Sequence, residues 1–206
     1  MAKGIIWKSG DLLNIRLRDG LFTIAQMLTS PIMRFYDISS NDGQWEHVDL
    51  NQVTPLCRVM VASRLINKYL VHEKIKNKTL IPSHMPFERY WIKTYSLLDK
   101  FYPGRNCKNS FPFMGGKLID LGPNEDFSVT EAPIIKENLQ LPQDREIIEK
   151  YELTPMWSHE DLGARLIRYF DTGINRDDLK FEVFPGLWDD REKLRPLTCR
   201  LPIPLR

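Results

Sequence analysis

The sequence predicts an α+β protein, a strongly bent, small barrel-like antiparallel sheet with C-terminal helices packed on it. Two observations carry that prediction. Between Gly10 and Ile38 apolar and polar residues alternate with period two around an Asp19-Gly20 turn, which places successive side chains on opposite faces of paired strands. Between Ser158 and Asp171 the spacing changes to that of a helix.

Taken in order, Leu13, Ile15 and Leu17 alternate with Leu12, Asn14 and Arg16, and the next strand runs from Leu21 to Leu28. Ser30-Pro31 breaks it, because proline cannot donate to a ladder. Met33 to Ile38 resumes the extended pattern, giving a three-strand meander. Ser39 to Gln44 is turn chemistry, and Trp45 to Val53 reads as a connector. Leu56 to Ala62 is nearly all apolar, as expected of a central strand buried on both faces. Arg58 inside it is expected to snorkel to the sheet edge, the other reading being a binding or structural ion-pair role.

Ser63 to Leu70 can form a short helical turn, and the lysine-rich run Lys68 to Lys78 reads as a solvated basic loop. Arg89 to Tyr95 reads as an aromatic-rich strand. Leu97 to Phe101 can start a helix that Pro103-Gly104 ends, and Asn106 to Pro123 loops over the sheet with a short strand at Lys117 to Leu121. Ile134-Ile135, Leu139, Leu141, Ile147 and Ile148 are isolated apolar residues in an acidic setting. Ser158 is a good N-cap, with Asp161 three residues on, and Gly173 is placed as terminator. Leu162, Leu166, Tyr169 and Phe170 make the apolar stripe. The proline-rich tail beyond Phe184 is expected to be extended and irregular. The expectation is one domain over residues 1–206, β-rich over 1–123, then acidic and helix-containing over 124–206.

With 206 residues, 42% hydrophobic, 11% aromatic and 27% charged, the chain can bury a sizeable core. No apolar run approaches the roughly 20 residues of a membrane helix, and Met1 to Lys8 lacks a signal-peptide core. Cys57, Cys107 and Cys199 show no Cys-x-x-Cys spacing, which disfavours a disulfide framework and fits a reducing cytoplasm.

The search for chemistry returns little. His47, His72, His84 and His159 are scattered, and Asp177-Asp178 and Asp189-Asp190 read as solvated turns. Gly115-Gly116-Lys117 lacks the upstream glycine and following Ser/Thr of a phosphate loop. No nucleophile elbow or dinucleotide fingerprint occurs, so no catalysis, cofactor or metal is expected. Charge distribution says more. Arg58 to Lys108 holds eleven Lys/Arg against three Asp/Glu, whereas Asn124 to Asp161 holds ten Asp/Glu against three Lys/Arg. The two segments either neutralise each other or give the surface a dipole, with the acidic one docking a basic partner.

Lys8 to Gly20, with its Gly10-Asp11 and Asp19-Gly20, is similar to the opening of the immunity protein 26 family of bacteria. Met33-Arg34-Phe35-Tyr36-Asp37 resembles that family's next strand, Pro55 to Val61 its central strand, and Trp157 to Leu162 the start of its late helix. The likeness runs in order from about residue 8 to 171 and covers Lys108 to Glu152 poorly. It implies a cytoplasmic antitoxin that binds the C-terminal domain of a cognate secreted toxin, such as a nuclease, and blocks its active site. It implies no membrane and no direct nucleic-acid contact. Glu125, Asp126, Glu131, Glu137, Glu146, Glu149 and Glu152 are the candidate toxin contacts. Two rivals stand beside it: a nucleic-acid-binding small barrel using Arg64 to Lys78 with Tyr90 and Trp91, and a hydrolase whose site is dispersed over separate loops.

Overall fold

A computed structural model describes residues 5–76, 79–86, 88–96 and 113–189. In chain order the elements are β1 (Leu12–Arg18), β2 (Leu21–Met27), β3 (Ile32–Ser40), β4 (Pro55–Met60), α1 (Ser63–Tyr69), β5 (Val71–Lys74), β6 (Tyr90–Ser96), β7 (Phe113–Asp120), β8 (Ile134–Lys136), α2 (Arg145–Lys150), α3 (His159–Thr172) and α4 (Leu179–Val183). The chain divides into two compact units. One is drawn from Met1–Pro86 and Met156–Asn175, the other from Phe87–Pro155 and Arg176–Leu205.

The first unit is a five-stranded antiparallel sheet in the order β4-β3-β2-β1-β5. It stays open rather than closing into a barrel, since β4 and β5 lie at opposite ends. Each face is covered by its own layer, so closure is not needed to bury it. On one face Leu13, Ile15, Met27, Phe35 and Val59 pack against Ile66 and Leu70 of the α1 region and against Trp157, Leu162 and Leu166. Burying a leucine such as Leu162 or Leu166 stabilises by about 1.5–3 kcal/mol. On the other face Leu12, Phe22, Ile24 and Tyr36 lie under Trp45, Leu50 and Leu80. The 45–53 connector is therefore a lid of the core. Every residue of β2 is buried, as its central place requires.

The near-continuous apolar strand, β4, lies at the sheet's edge and not at its centre. Cys57 and Val59 belong to the helix-side core, while the chain just past the strand bridges to Trp157 through Val61. Coverage by a helix and its entry segment gives β4 the composition of an inner strand. Arg58 does not snorkel: it is buried, directly across from Arg34. β5 forms inside the expected basic loop, pairing with β1.

In α3 the Ser158 Oγ accepts the Asp161 N–H at 3.2 Å, and Gly173 ends the helix in the left-handed region at φ 74°. The buried stripe differs from expectation beyond Leu166. Tyr169 and Phe170 are half-exposed, while Arg165 and Arg168 are buried. The Arg165 guanidinium lies over the Trp157 ring at 5.2 Å, and its Nε donates to Asn175 Oδ1 at 2.9 Å; Arg168 Nε donates to the Ile174 carbonyl at 3.1 Å. Acceptors beyond the helix end draw these long side chains inward.

The second unit is an antiparallel sheet in the order β6-β7-β8. The outer edge of β6 is met by Leu153: Ile92 N–H donates to the Glu152 carbonyl and Thr154 N–H to the Ile92 carbonyl. Ile92, Leu118, Leu139, Ile148, Leu179, Val183 and Leu187 form its core. Of the isolated apolar residues, Ile134 and Ile135 belong to β8 and Ile147 and Ile148 to α2, while Leu139 and Leu141 lie on the connection between them. α4 occupies part of the stretch just before the tail, and Asp177, far from solvated, is buried and accepts the Leu179 N–H at 3.0 Å. Gly116 sits in β7 opposite Thr94. A Cβ there would lie 2.9 Å from Ile92 Cγ2 and the Lys93 carbonyl, so close packing explains this glycine. The helix start expected at Leu97 to Phe101, Cys107, Cys199, Asp190 and the tail beyond residue 189 lie outside the described residues.

Candidate functional site

The seven acidic residues all fall in the second unit. Between residues 124 and 155 there are eight carboxylates against three cations. Asp126, Glu131, Glu137, Glu146 and Glu149 are exposed, and Glu125 and Glu152 are partly buried. Local structure fixes most of them. Ser128 Oγ donates to Glu131 Oε2 at 2.6 Å just before β8. Glu137, just after β8, accepts from the Tyr95 hydroxyl at 2.8 Å and lies 3.7 Å from Lys117 Nζ. Glu149 on α2 accepts from Trp188 Nε1 at 3.1 Å and from Arg145 at 3.3 Å. Glu146 reaches solvent from the first turn of α2, where the helix dipole favours a carboxylate.

Two further carboxylates do not belong to this surface. Asp144 is buried against Lys136 and the Gln140 N–H, and Asp120 against Arg89 and the Gly122 N–H. In each case the hydrogen-bonded cation holds the carboxyl below its ordinary range. They pin β8 and β7 to their neighbours.

Interleaved with the acids are exposed apolar side chains: Phe127, Ile134 and Ile135. β8 ends its sheet and exposes all three of its residues. The segment from 124 to 155 thus exposes both carboxylates and, at Phe127 and on the edge strand β8, apolar side chains. Among the described residues no cluster of three or more His, Cys, Asp and Glu could hold a metal ion. Trp91, offered by the nucleic-acid rival as a stacking residue, is 1% exposed, and Tyr90 packs edge-on against Tyr151. Buried this far, Trp91 presents no face to a base.

A second feature, in the first unit, has no counterpart in the sequence reading. Buried Asn14 accepts from Trp45 Nε1 at 3.1 Å and donates to the Gly43 carbonyl at 3.0 Å. This fixes residues 43–45 as one wall of a cleft of about 410 Å³, with Glu73 to Lys76 as the other. The available signal was an asparagine amid the apolar alternation of β1.

Residues 2–189 match a family described as Domain of unknown function (DUF8309). No curated protein matches the chain, and no solved structure does.

Proposed function

Since the chain belongs to the DUF8309 family, which brings no activity with it, we infer from its own surface that it is an immunity protein. It binds the C-terminal domain of a cognate bacterial toxin one-to-one in the cytoplasm and covers that domain's active site, with no bond-making of its own. The observation that carries the reading is the second unit's acidic segment with its exposed Phe127, Ile134 and Ile135. Exposed apolar residues in a segment with an excess of one sign of charge suit a macromolecular partner of the opposite sign. A toxin that acts on nucleic acid needs a basic groove for phosphates, and carboxylates can occupy it. The ordered likeness of residues 8 to 171 to the immunity protein 26 family supplies the partner class.

The test is co-expression with the C-terminal domain of a toxin encoded beside this chain. Survival of the host and co-purification of a one-to-one complex are expected. Continued killing with no complex sinks the reading, as does turnover of a substrate by the purified chain.

A further inference from the structure

α1 packs one side into the first unit and leaves the other bare. Ile66 and, just past the helix, Leu70 belong to the helix-side core, whereas Arg64, Leu65, Lys68 and Tyr69 are exposed. Residues four apart are neighbours on a helix surface. The outer side therefore carries two adjacent rows, one apolar (Leu65 and Tyr69) and one basic (Arg64 and Lys68). No acid lies between Ser63 and Tyr69.

Two contacts hold the outer side in place. The ring of His159, at the start of α3, stacks on Tyr69 with centroids 4.1 Å apart and planes 18° apart. Lys68 Nζ lies 4.6 Å from the centroid of the same Tyr69 ring. A ring attracts a cation through its quadrupole without neutralising it, so a whole positive charge stays beside the tyrosine. Neither Arg64 nor Lys68 has an ion-pair partner among the described residues. Met156, half-exposed, precedes Trp157, whose carbonyl takes the Ala62 N–H at 3.0 Å, and so lies at the N-terminal end of α1. Tyrosine and arginine are the residue types that anchor protein interfaces.

We propose that the outer side of α1 docks an acidic segment of another protein that also carries apolar side chains. Leu65 and Tyr69 take the apolar side chains, and Arg64 and Lys68 take the carboxylates. Charge selects this occupant, because the acids of the neighbourhood are turned to other work. Asp161 accepts from the Ser158 hydroxyl at 2.8 Å, and Asp11 pairs with Lys74. Glu73 stands across from Asn14, which bonds Trp45 on the opposite face of the sheet. Glu160 follows His159 and so points about 100° round α3 from the ring that meets Tyr69. Counted in full, it still leaves the two cations in excess. A second copy meeting this side with its own α1 would bring four unpaired cations together, and like charges set against each other are costly. A bilayer fits no better. Leu65 and Tyr69 are 39% and 50% exposed, so they lie flush, whereas an interfacial helix sinks its apolar side about 5–10 Å. The surface is on the first unit and takes the opposite sign of charge from the toxin contact proposed above, so neither reading depends on the other.

The test uses the full chain, immobilised, and a library of random twelve-residue peptides displayed on phage at low salt. Selected peptides should be enriched in Asp or Glu together with Leu, Ile or Phe. Arg64→Glu with Lys68→Glu should weaken their binding about tenfold or more at low salt, and less as salt rises. Leu65→Gln keeps helix propensity and should weaken binding severalfold at every salt concentration. In the natural chain a bound peptide should shift the amide resonances of residues 64–69. No enrichment of acidic peptides, a charge-reversed protein that binds as tightly as the natural chain, unchanged affinity in Leu65→Gln, or shifts confined to other residues would each overturn the proposal. Binding to phosphatidylglycerol vesicles that the charge reversal abolishes would overturn it by giving this side to lipid. Self-association that the same variant abolishes would give it to a second copy.

Discussion

Arg34 and Arg58 stand directly opposite each other on β3 and β4, and both are buried. Gln26 continues the row on β2. Arg34 donates to Ser83 Oγ at 3.3 Å and to the carbonyls of Met85 and Pro86 at 3.3 and 3.2 Å. Gln26 grips the same segment through the Ser83 N–H at 3.2 Å and carbonyl at 3.1 Å, and accepts a hydrogen bond from the Tyr36 hydroxyl. Burial pushes the Tyr36 hydroxyl above its ordinary range, so it remains a donor. Residues 83–86 are thus fastened to the sheet by polar groups rather than by apolar area. The planar fork of arginine presents its donors in fixed directions that a lysine ammonium does not reproduce. Arg34→Lys should destabilise by about 1–3 kcal/mol in urea unfolding, with amide exchange at 83–86 accelerating first. A variant as stable as the parent would refute this role.

The Ser158 cap gives a cleaner test. Ser158→Ala removes the acceptor of the Asp161 N–H and the donor to the Asp161 carboxylate at 2.8 Å and should cost about 1 kcal/mol, while Ser158→Asn, which can accept and donate at the same place, should retain most of it. Equal losses in the two variants would show that the hydroxyl does something other than cap.

Those two sites mark what could be read from the sequence and what could not. The α3 boundaries rest on local chemistry, with Ser158 before the helix and Gly173 after it, and they were legible to within a residue. The β1–β3 meander was equally legible, because alternation and an Asp-Gly turn are short-range signals. The edge position of β4 was not, since burial by Trp157 is a contact over about a hundred residues and mimics the composition of a central strand. β5 hid for the opposite reason: an edge strand with only β1 beside it tolerates His72, Glu73 and Lys74. The acidic residues were legible as a cluster, but the exposure of Phe127, Ile134 and Ile135 in the same segment needed the sheet that ends at β8. The cleft was invisible because Asn14, Gly43 and Lys76 are brought together only by the fold.

Acid should loosen the second unit early. Asp120 and Asp144 are held below the ordinary carboxylate range chiefly by hydrogen bonds from Arg89 and Lys136. A depressed folded-state value means that the stabilisation is full above the unfolded carboxylate range and drains away as pH falls through the lower folded values. Unfolding midpoints should therefore hold from neutrality to about pH 5 and then decline. Asp144→Asn should be less stable at neutral pH and show a shallower acid decline. The cations are half-exposed, so the neutral-pH loss should be modest, about 1 kcal/mol. Parallel pH profiles for the two proteins would remove Asp144 from the account.

Reversing charge on the acidic surface should act on encounter. Glu131→Lys, Glu137→Lys and Glu146→Lys together should slow association with the toxin domain proposed as partner about tenfold or more at low salt. The gap should narrow as salt rises, because the Debye length shrinks to about 8 Å at physiological ionic strength. Stopped-flow association rates across a salt series decide the matter, and identical rates at low salt would move the contact elsewhere.

The first unit draws one core from both sides of the second. Leu13, Phe35 and Val59 wait for Trp157, Leu162 and Leu166 to complete it. On a ribosome adding about 5–20 residues per second, the roughly one hundred intervening residues take on the order of 5–20 s. Through that interval the newborn meander carries one greasy face open to solvent. A chaperone that grips apolar strands should therefore capture translation intermediates stalled before residue 157, and release them once the late helix has emerged.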